Sequence, residues 1–188
     1  MKKQLVIFDC FGVIFDDVAP MFLRKYLGYE EAEKIKDEIF LPADLGKISY
    51  DQLMDNLALA VKGDREKVIE EWDSLFVLKA STVELIKKLK ETSHIALLSN
   101  APSGLVEKLF EQYDLMKLFD NTVISSVVKM AKPDPEIYKY CLSLFDEKHE
   151  KVYMIDDNIN NLKPLPDLGI TPVHFTDIGE VAKVLGVR

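Results

Sequence analysis

In Leu5-Val6-Ile7-Phe8-Asp9, four apolar residues, three of them β-branched or aromatic, are stopped abruptly by an acid. An unbroken apolar run of this length suits a strand buried on both faces of a parallel sheet, whereas a half-buried strand would alternate apolar with polar. Similar short runs recur at 95–98, 123–124, 152–155 and 172–175. Amphipathic stretches at 82–91, 103–113, 135–145 and 178–185 lie between or after them. Such alternation predicts an α/β fold with a doubly wound parallel sheet. At 160–168, Pro164 and Pro166 each remove a backbone donor and crowd the preceding turn, so a short or kinked helix is expected there.

One stretch, 17–77, shows helical spacing and charge but no buried-strand run. Its expected helices are 19–26, 30–39, 50–61 and 65–75, punctuated by Gly46 and Gly63. The expected organisation is a core of 1–15 plus 80–188, with 16–79 as a small helical cap domain. Trp72 and Phe76, near the end of the insertion, read as packing residues rather than ligand contacts.

Composition narrows the function classes. With 188 residues, 48% hydrophobic and 30% charged, the chain can bury an ordinary globular core. A formal net charge of -8 disfavours nucleic acid and anionic membranes as partners, and a small anion would need local help. Two cysteines, Cys10 and Cys141, are too few for a disulfide framework and too far apart for a Cys-x-x-Cys site. The run ended by Asp9 is too short for a secretory h-region, and no apolar stretch approaches the ~20 residues of a membrane span. A cytoplasmic location is the expectation.

In an open parallel sheet, ligands bind outside the carboxyl ends of the strands. There the sequence places Asp9 after the first strand, Ser99 and Asn100 after the second, Lys132 after the third, and Asp156 with Asp157 after the fourth. Each has an ordinary explanation. Asp9 could cap a turn, Ser99-Asn100 could open a helix, and Lys132-Pro133-Asp134-Pro135 could be a connector with proline at a first helical turn. Adjacent acids after a buried strand repel one another unless a cation compensates. Together they put carboxylates, a cation and small donors on one rim.

These segments resemble, in order, the motifs of the haloacid dehalogenase-like hydrolase superfamily. Asp9-Cys10-Phe11-Gly12-Val13-Ile14 is similar to its first motif, Leu98-Ser99-Asn100 to its second, Lys132-Pro133-Asp134-Pro135 to its third, and Ile155-Asp156-Asp157-Asn158 to its fourth. The position of the insertion matches the family's helical cap on a Rossmann-like core. The resemblance implies a phosphatase or phosphotransferase acting on a small phosphorylated metabolite, with Asp9 as the nucleophile that forms an aspartyl-phosphate. It further implies Mg2+ held by Asp9, the Phe11 backbone carbonyl and Asp156, with Asp157 binding through water or orienting the site, phosphate held by Ser99 and the Asn100 backbone amide, and charge offset by Lys132. Hard oxygen donors of this kind suit magnesium.

Phe11 departs from the family pattern. Phosphatases of this type usually carry a second Asp at that position, which protonates the leaving group and then activates water. General acid-base help is worth ~100- to 10,000-fold, so its loss matters. Three readings follow: an enzyme using an activated phosphate or another acid, with Asp16 and Asp17 nearest in sequence; a metal-independent 2-haloacid dehalogenase; or a catalytically impaired binding or regulatory protein. Cys10 reads as a small apolar filler. His94, His149 and His174 are scattered, without a spacing that suggests a metal or triad. No motif sets substrate identity or oligomeric state.

Overall fold

The computed structural model describes residues 3–187. Five strands, β1 (Gln4–Phe8), β2 (Ser93–Ser99), β3 (Asn121–Ile124), β4 (Val152–Asp156) and β5 (Thr171–His174), form one sheet in the order β3-β2-β1-β4-β5. Every pairing is parallel. The central strand buries both faces: Val6 and Phe8 enter one hydrophobic cluster, Leu5 and Ile7 the other. The continuous apolar run therefore follows from helices covering both sides of the sheet. Pro172 is accommodated because β5 is an edge strand, where a missing donor costs no interior ladder bond.

The helices are α1 (Val18–Tyr26), α2 (Tyr29–Ile35), α3 (Leu41–Asp44), α4 (Tyr50–Ala60), α5 (Arg65–Ser74), α6 (Ala80–Lys90), α7 (Leu105–Gln112), α8 (Ser125–Val128), α9 (Pro135–Ser143), α10 (Ile159–Leu162) and α11 (Ile178–Val184). The helix expected over 30–39 is broken instead: α2 passes through a π-helical turn at Lys36–Phe40 into α3, which has proline in its first turn. The helix expected from 103 starts at Leu105, because Gly104 adopts a left-handed φ of 87° immediately before it. The segment around Pro164 and Pro166 divides into α10 and a 3-10 turn at Pro166–Leu168, as the lost donors require.

Helices α1 to α5 occupy the interval between β1 and β2. The chain enters and leaves this interval side by side: Lys79 N–H donates to Ile14 O at 2.8 Å, and Asp16 N–H donates to Val77 O at 3.1 Å. Lys79 Nζ also contacts Asp16 Oδ1 at 2.5 Å, pinning the two crossings together. Phe22, Leu53 and Trp72 from the interval share one buried cluster with Phe8 and Phe15. Among the described residues, no helix is long and apolar enough to cross a membrane.

Candidate active site

The strand order reverses beside β1, so the carboxyl ends of β1 and β4 border a switch point where ligands bind in sheets of this kind. Phe8 is in register with Ile155, and Asp9 N–H donates to Ile155 O at 2.9 Å. That pairing sets Asp9 beside Asp156. Between them lies Lys132, whose Nζ is 2.8 Å from Asp9 Oδ1 and 2.7 Å from Asp156 Oδ2. The side chains of Lys132 and Asp156 are both fully buried. Burial alone would drive the ammonium towards neutrality, but Asp9 and then Asp156 outweigh it and hold the lysine charged.

The carboxylates exceed the one cation among them. Asp9, Asp156 and Asp157 bring a carboxylate oxygen each to within 4.8 Å of one another. Burial raises Asp9 well above the usual carboxylate range, and Asp156 raises it further against the opposing pull of Lys132. Asp157 is raised by burial and then by Asp156. Three clustered hard oxygen donors with unbalanced negative charge fit a divalent cation of the Mg2+ kind.

Neighbouring groups hold this cluster in place. Asn161, a residue that the sequence reading passed over, donates from Nδ2 to both Asp156 oxygens at 3.1 Å, and Asn158 N–H donates to Asp156 Oδ1 at 2.8 Å. The short helix α10 carries Asn161, with Asn158 capping its first turn. Only the fold reveals this support, since Asn160-Asn161 has no spacing that marks it out. Cys10 N–H donates to Asp9 Oδ1 at 2.7 Å, while burial and then Asp9 push the Cys10 thiol far up, leaving it protonated and inert. His174 donates from Nε2 to Asp157 O at 3.0 Å.

Gly12 is needed beside this cluster for two reasons. Its φ is +81°, and a Cβ on it would stand 2.2 Å from the Asp157 carboxyl carbon. Gly12→Ala is therefore expected to cost ~1–3 kcal/mol of stability in thermal denaturation, as backbone strain and displacement of Asp157 act together.

The residues expected to hold phosphate take different positions. Asn100 lines the cavity above Asp9, but its side chain is engaged with the Lys132 backbone: Lys132 N–H donates to Asn100 Oδ1 at 2.8 Å, and Asn100 Nδ2 donates to Lys132 O at 2.9 Å. This reciprocal pair sets the path of the lysine-bearing loop. Ser99 is fully buried, with its hydroxyl 3.5 Å from Asn100 O.

The cavity over Asp9 measures about 960 Å3 and is bounded by both the sheet end and the inserted helices. Phe11 lies in its wall, with its ring 5.7 Å from that of Phe76. Phe76 in turn meets Trp72 edge-on at 5.8 Å, and Trp72 lies 5.6 Å from Phe40. Trp72 and Phe76 are therefore packing residues that also face the cavity, a double role that the sequence reading did not assign. Phe11 spends its side chain on this aromatic contact between the β1 loop and the inserted helices.

Three further acids, Asp17, Asp37 and Asp44, line the same cavity. Asp17 is raised to about 6, by burial and then by Asp157. Asp44 at the end of α3 is raised to about 7 by burial, with Lys132 pulling weakly the other way. Asp44 escaped the sequence reading because nothing local distinguishes it from a solvated helix-end acid. Asp16, the other acid considered as a substitute, is tied to Lys79 instead. Lys36 and Lys163 also line the cavity and supply local positive charge within an acidic chain.

The scattered histidines are not all apart: His94 Nδ1 and His149 Nε2 approach to 2.9 Å. A separation of 55 residues hid that pair from any spacing argument.

Comparison with known proteins agrees with this architecture. A phosphatase of phosphorylated carbohydrates from Thermotoga maritima is 25% identical over 91% of this chain and 84% of its own length. Rat bifunctional epoxide hydrolase 2 is 35% identical over 79 residues, which are 40% of this chain but only 14% of that much longer protein. Among solved structures, a HAD family enzyme from Bacteroides thetaiotaomicron superimposes with a TM-score of 0.78 at 23% identity, covering all of both chains. A dehalogenase superimposes at 0.73 with 18% identity, over 99% of this chain and 98% of that one. The sequence model of the haloacid dehalogenase-like hydrolase family matches residues 3–169, and the chain belongs to that family.

Proposed function

We propose that this hydrolase is a Mg2+-dependent phosphatase or phosphotransferase that acts on a small phosphorylated metabolite through an aspartyl-phosphate on Asp9. The observation that carries this reading is Lys132 buried between Asp9 and Asp156, with Asp157 completing an acidic cluster on the cavity floor. The T. maritima phosphatase and the Mg2+ and phosphate complexes of the B. thetaiotaomicron enzyme support it. Asp9, Asp156, Asp157 and the Phe11 carbonyl are the proposed ligands of Mg2+, which when bound neutralises phosphoryl charge.

Cys10 N–H and Lys132 both engage Asp9 Oδ1, which leaves Oδ2 to attack phosphorus. The P–O bond to the leaving group breaks as the Asp9–phosphorus bond forms, and the departing oxygen takes a proton. Water then cleaves the acyl phosphate, regenerating Asp9 and releasing inorganic phosphate. The Asn100 amide and Lys132, which line the cavity, are assigned to the phosphoryl oxygens and their charge, in keeping with the electrostatic demands of this transfer.

Phe11 cannot supply the proton. Asp44 is our candidate donor, being a cavity-facing acid that stays protonated until pH rises through about 7. Asp44→Asn is expected to lower turnover of alkyl phosphates by ~100-fold or more while sparing aryl phosphates, whose leaving groups need no proton. In the unaltered enzyme, the alkyl-phosphate rate should fall as pH rises through about 7, a limb absent in the variant. Equal losses on both substrate classes would remove Asp44 from this role.

Phe11→Asp tests the departure directly. It introduces an acid next to the nucleophile and loses the Phe76 contact. Turnover of alkyl phosphates should rise more than that of aryl phosphates, with melting reduced by the lost aromatic packing, ~1 kcal/mol or more. The whole reading is tested by a phosphate-ester screen with and without EDTA. Chelator-sensitive phosphate release is expected. Chelator-insensitive activity, or halide release from 2-haloacids, would overturn it in favour of dehalogenase chemistry.

A further inference from the structure

At the end of the sheet opposite Asp9, three possible metal ligands converge. His94 is in β2, paired with Leu5 of the central strand, and shares a face of the sheet with Ala96 and Leu98. Those two pack in the same cluster as Ile137, Tyr138 and Cys141 of α9. Glu147 and His149 lie on the loop leading from α9 to β4. His94 Nδ1 is 2.9 Å from His149 Nε2 and 3.5 Å from Glu147 Oε1. The three ligand atoms all lie within 4.8 Å of one another.

The surroundings hold these groups in position. Phe145 stacks on His94 at 5.8 Å and 20°, and meets His149 edge-on at 5.2 Å and 85°. The loop is tied back to the start of the sheet, where Leu5 N–H donates to Lys151 O at 2.9 Å. His94 is largely buried while Glu147 reaches solvent, so an ion has a path in.

We propose that His94, Glu147 and His149 bind one transition-metal ion of the Zn2+ class, at a site separate from the catalytic rim. Two imidazoles and a carboxylate suit Zn2+ or Ni2+, whereas Mg2+ prefers all-oxygen sites. Zn–N bonds of about 2.0–2.1 Å in a tetrahedron put ligand atoms ~3.3 Å apart. The observed separations of 2.9 and 3.5 Å fall on either side of that value, and the third pair of ligand atoms lies within 4.8 Å. The ion displaces the proton that the two imidazoles share, and water takes the fourth position. Bound there, it ties β2 to the loop before β4.

Calorimetric titration of Zn2+ into the whole chain, with Mg2+ at millimolar concentration throughout, tests the site. One Zn2+ per chain is expected, with affinity reduced tenfold or more in His149→Gln and in Glu147→Gln and unchanged in Asp9→Asn. Saturating Zn2+ should raise the melting temperature of the unaltered chain by roughly 5 °C, and that of His149→Gln far less. Glu147 is exposed, so its replacement tests ligation without disturbing packing. No uptake by the unaltered chain would overturn the proposal and leave a hydrogen-bonded histidine pair buttressed by Phe145. Equal uptake by His149→Gln, or loss of uptake in Asp9→Asn, would likewise overturn it.

Discussion

Asp9→Asn is expected to abolish phosphate release, by ~10,000-fold or more, while the protein remains folded. The amide keeps the size of the carboxylate but cannot act as the nucleophile. Stability should not fall, because Asp9 is a buried acid whose charge is opposed by burial and by Asp156. Removing that charge leaves Lys132 paired with Asp156 at 2.7 Å. Melting in the absence of Mg2+ should therefore equal or exceed that of the unaltered chain. Rapid-quench detection of a phosphorylated chain, present before and absent after the substitution, distinguishes lost chemistry from lost binding. Residual turnover within tenfold of the original would remove Asp9 as nucleophile.

Lys132→Met is expected to have the largest effect on the fold. It deletes the cation between Asp9 and a fully buried Asp156 and leaves Asp157 nearby. Removing one partner of a buried ion pair costs ~3–5 kcal/mol, because the remaining charge loses its compensation. Asn161 and the Asn158 amide still support Asp156, so local order should persist around α10. The pH dependence has a definite sign. Asp9 has its folded pKa raised above the unfolded value, so its favourable contribution is fully present below the unfolded value and is lost as pH rises through the folded one. Without Lys132 that loss deepens, and the variant should recover stability as pH is lowered and protonation relieves the repulsion. Mg2+ should rescue its melting temperature more than that of the unaltered chain. A variant that melts like the unaltered chain at neutral pH would show that the lysine does not hold the cluster together.

Much of the rim was legible along the chain because its signals are local. An apolar run such as Leu5 to Phe8 reports a strand buried on both faces, and a polar residue directly after it falls at the carboxyl end of the sheet. Asp9, Asn100, Asp156 and Asp157 could be singled out in this way, and Lys132 by its place in the loop after the third run. Ser99 could be singled out too, but not its complete burial. The π-helical turn at Lys36–Phe40 was not legible, because helical periodicity over 30–39 barely distinguishes an α-helix from one interrupted by a wider turn.

Residue type and short-range order suffice for the doubly wound sheet, the interval of helices after the first strand and the absence of an acid at Phe11. What Phe11 does instead depends on long-range packing, which places its ring against Phe76. The same packing brings Asp44 into the cavity with Asp9, sets Asn161 on Asp156 and joins His94 to Glu147 and His149. Those relations depend on how distant segments pack and on which charges lose their water. Packing and desolvation are properties of the assembled chain, so no spacing within one segment could have disclosed them.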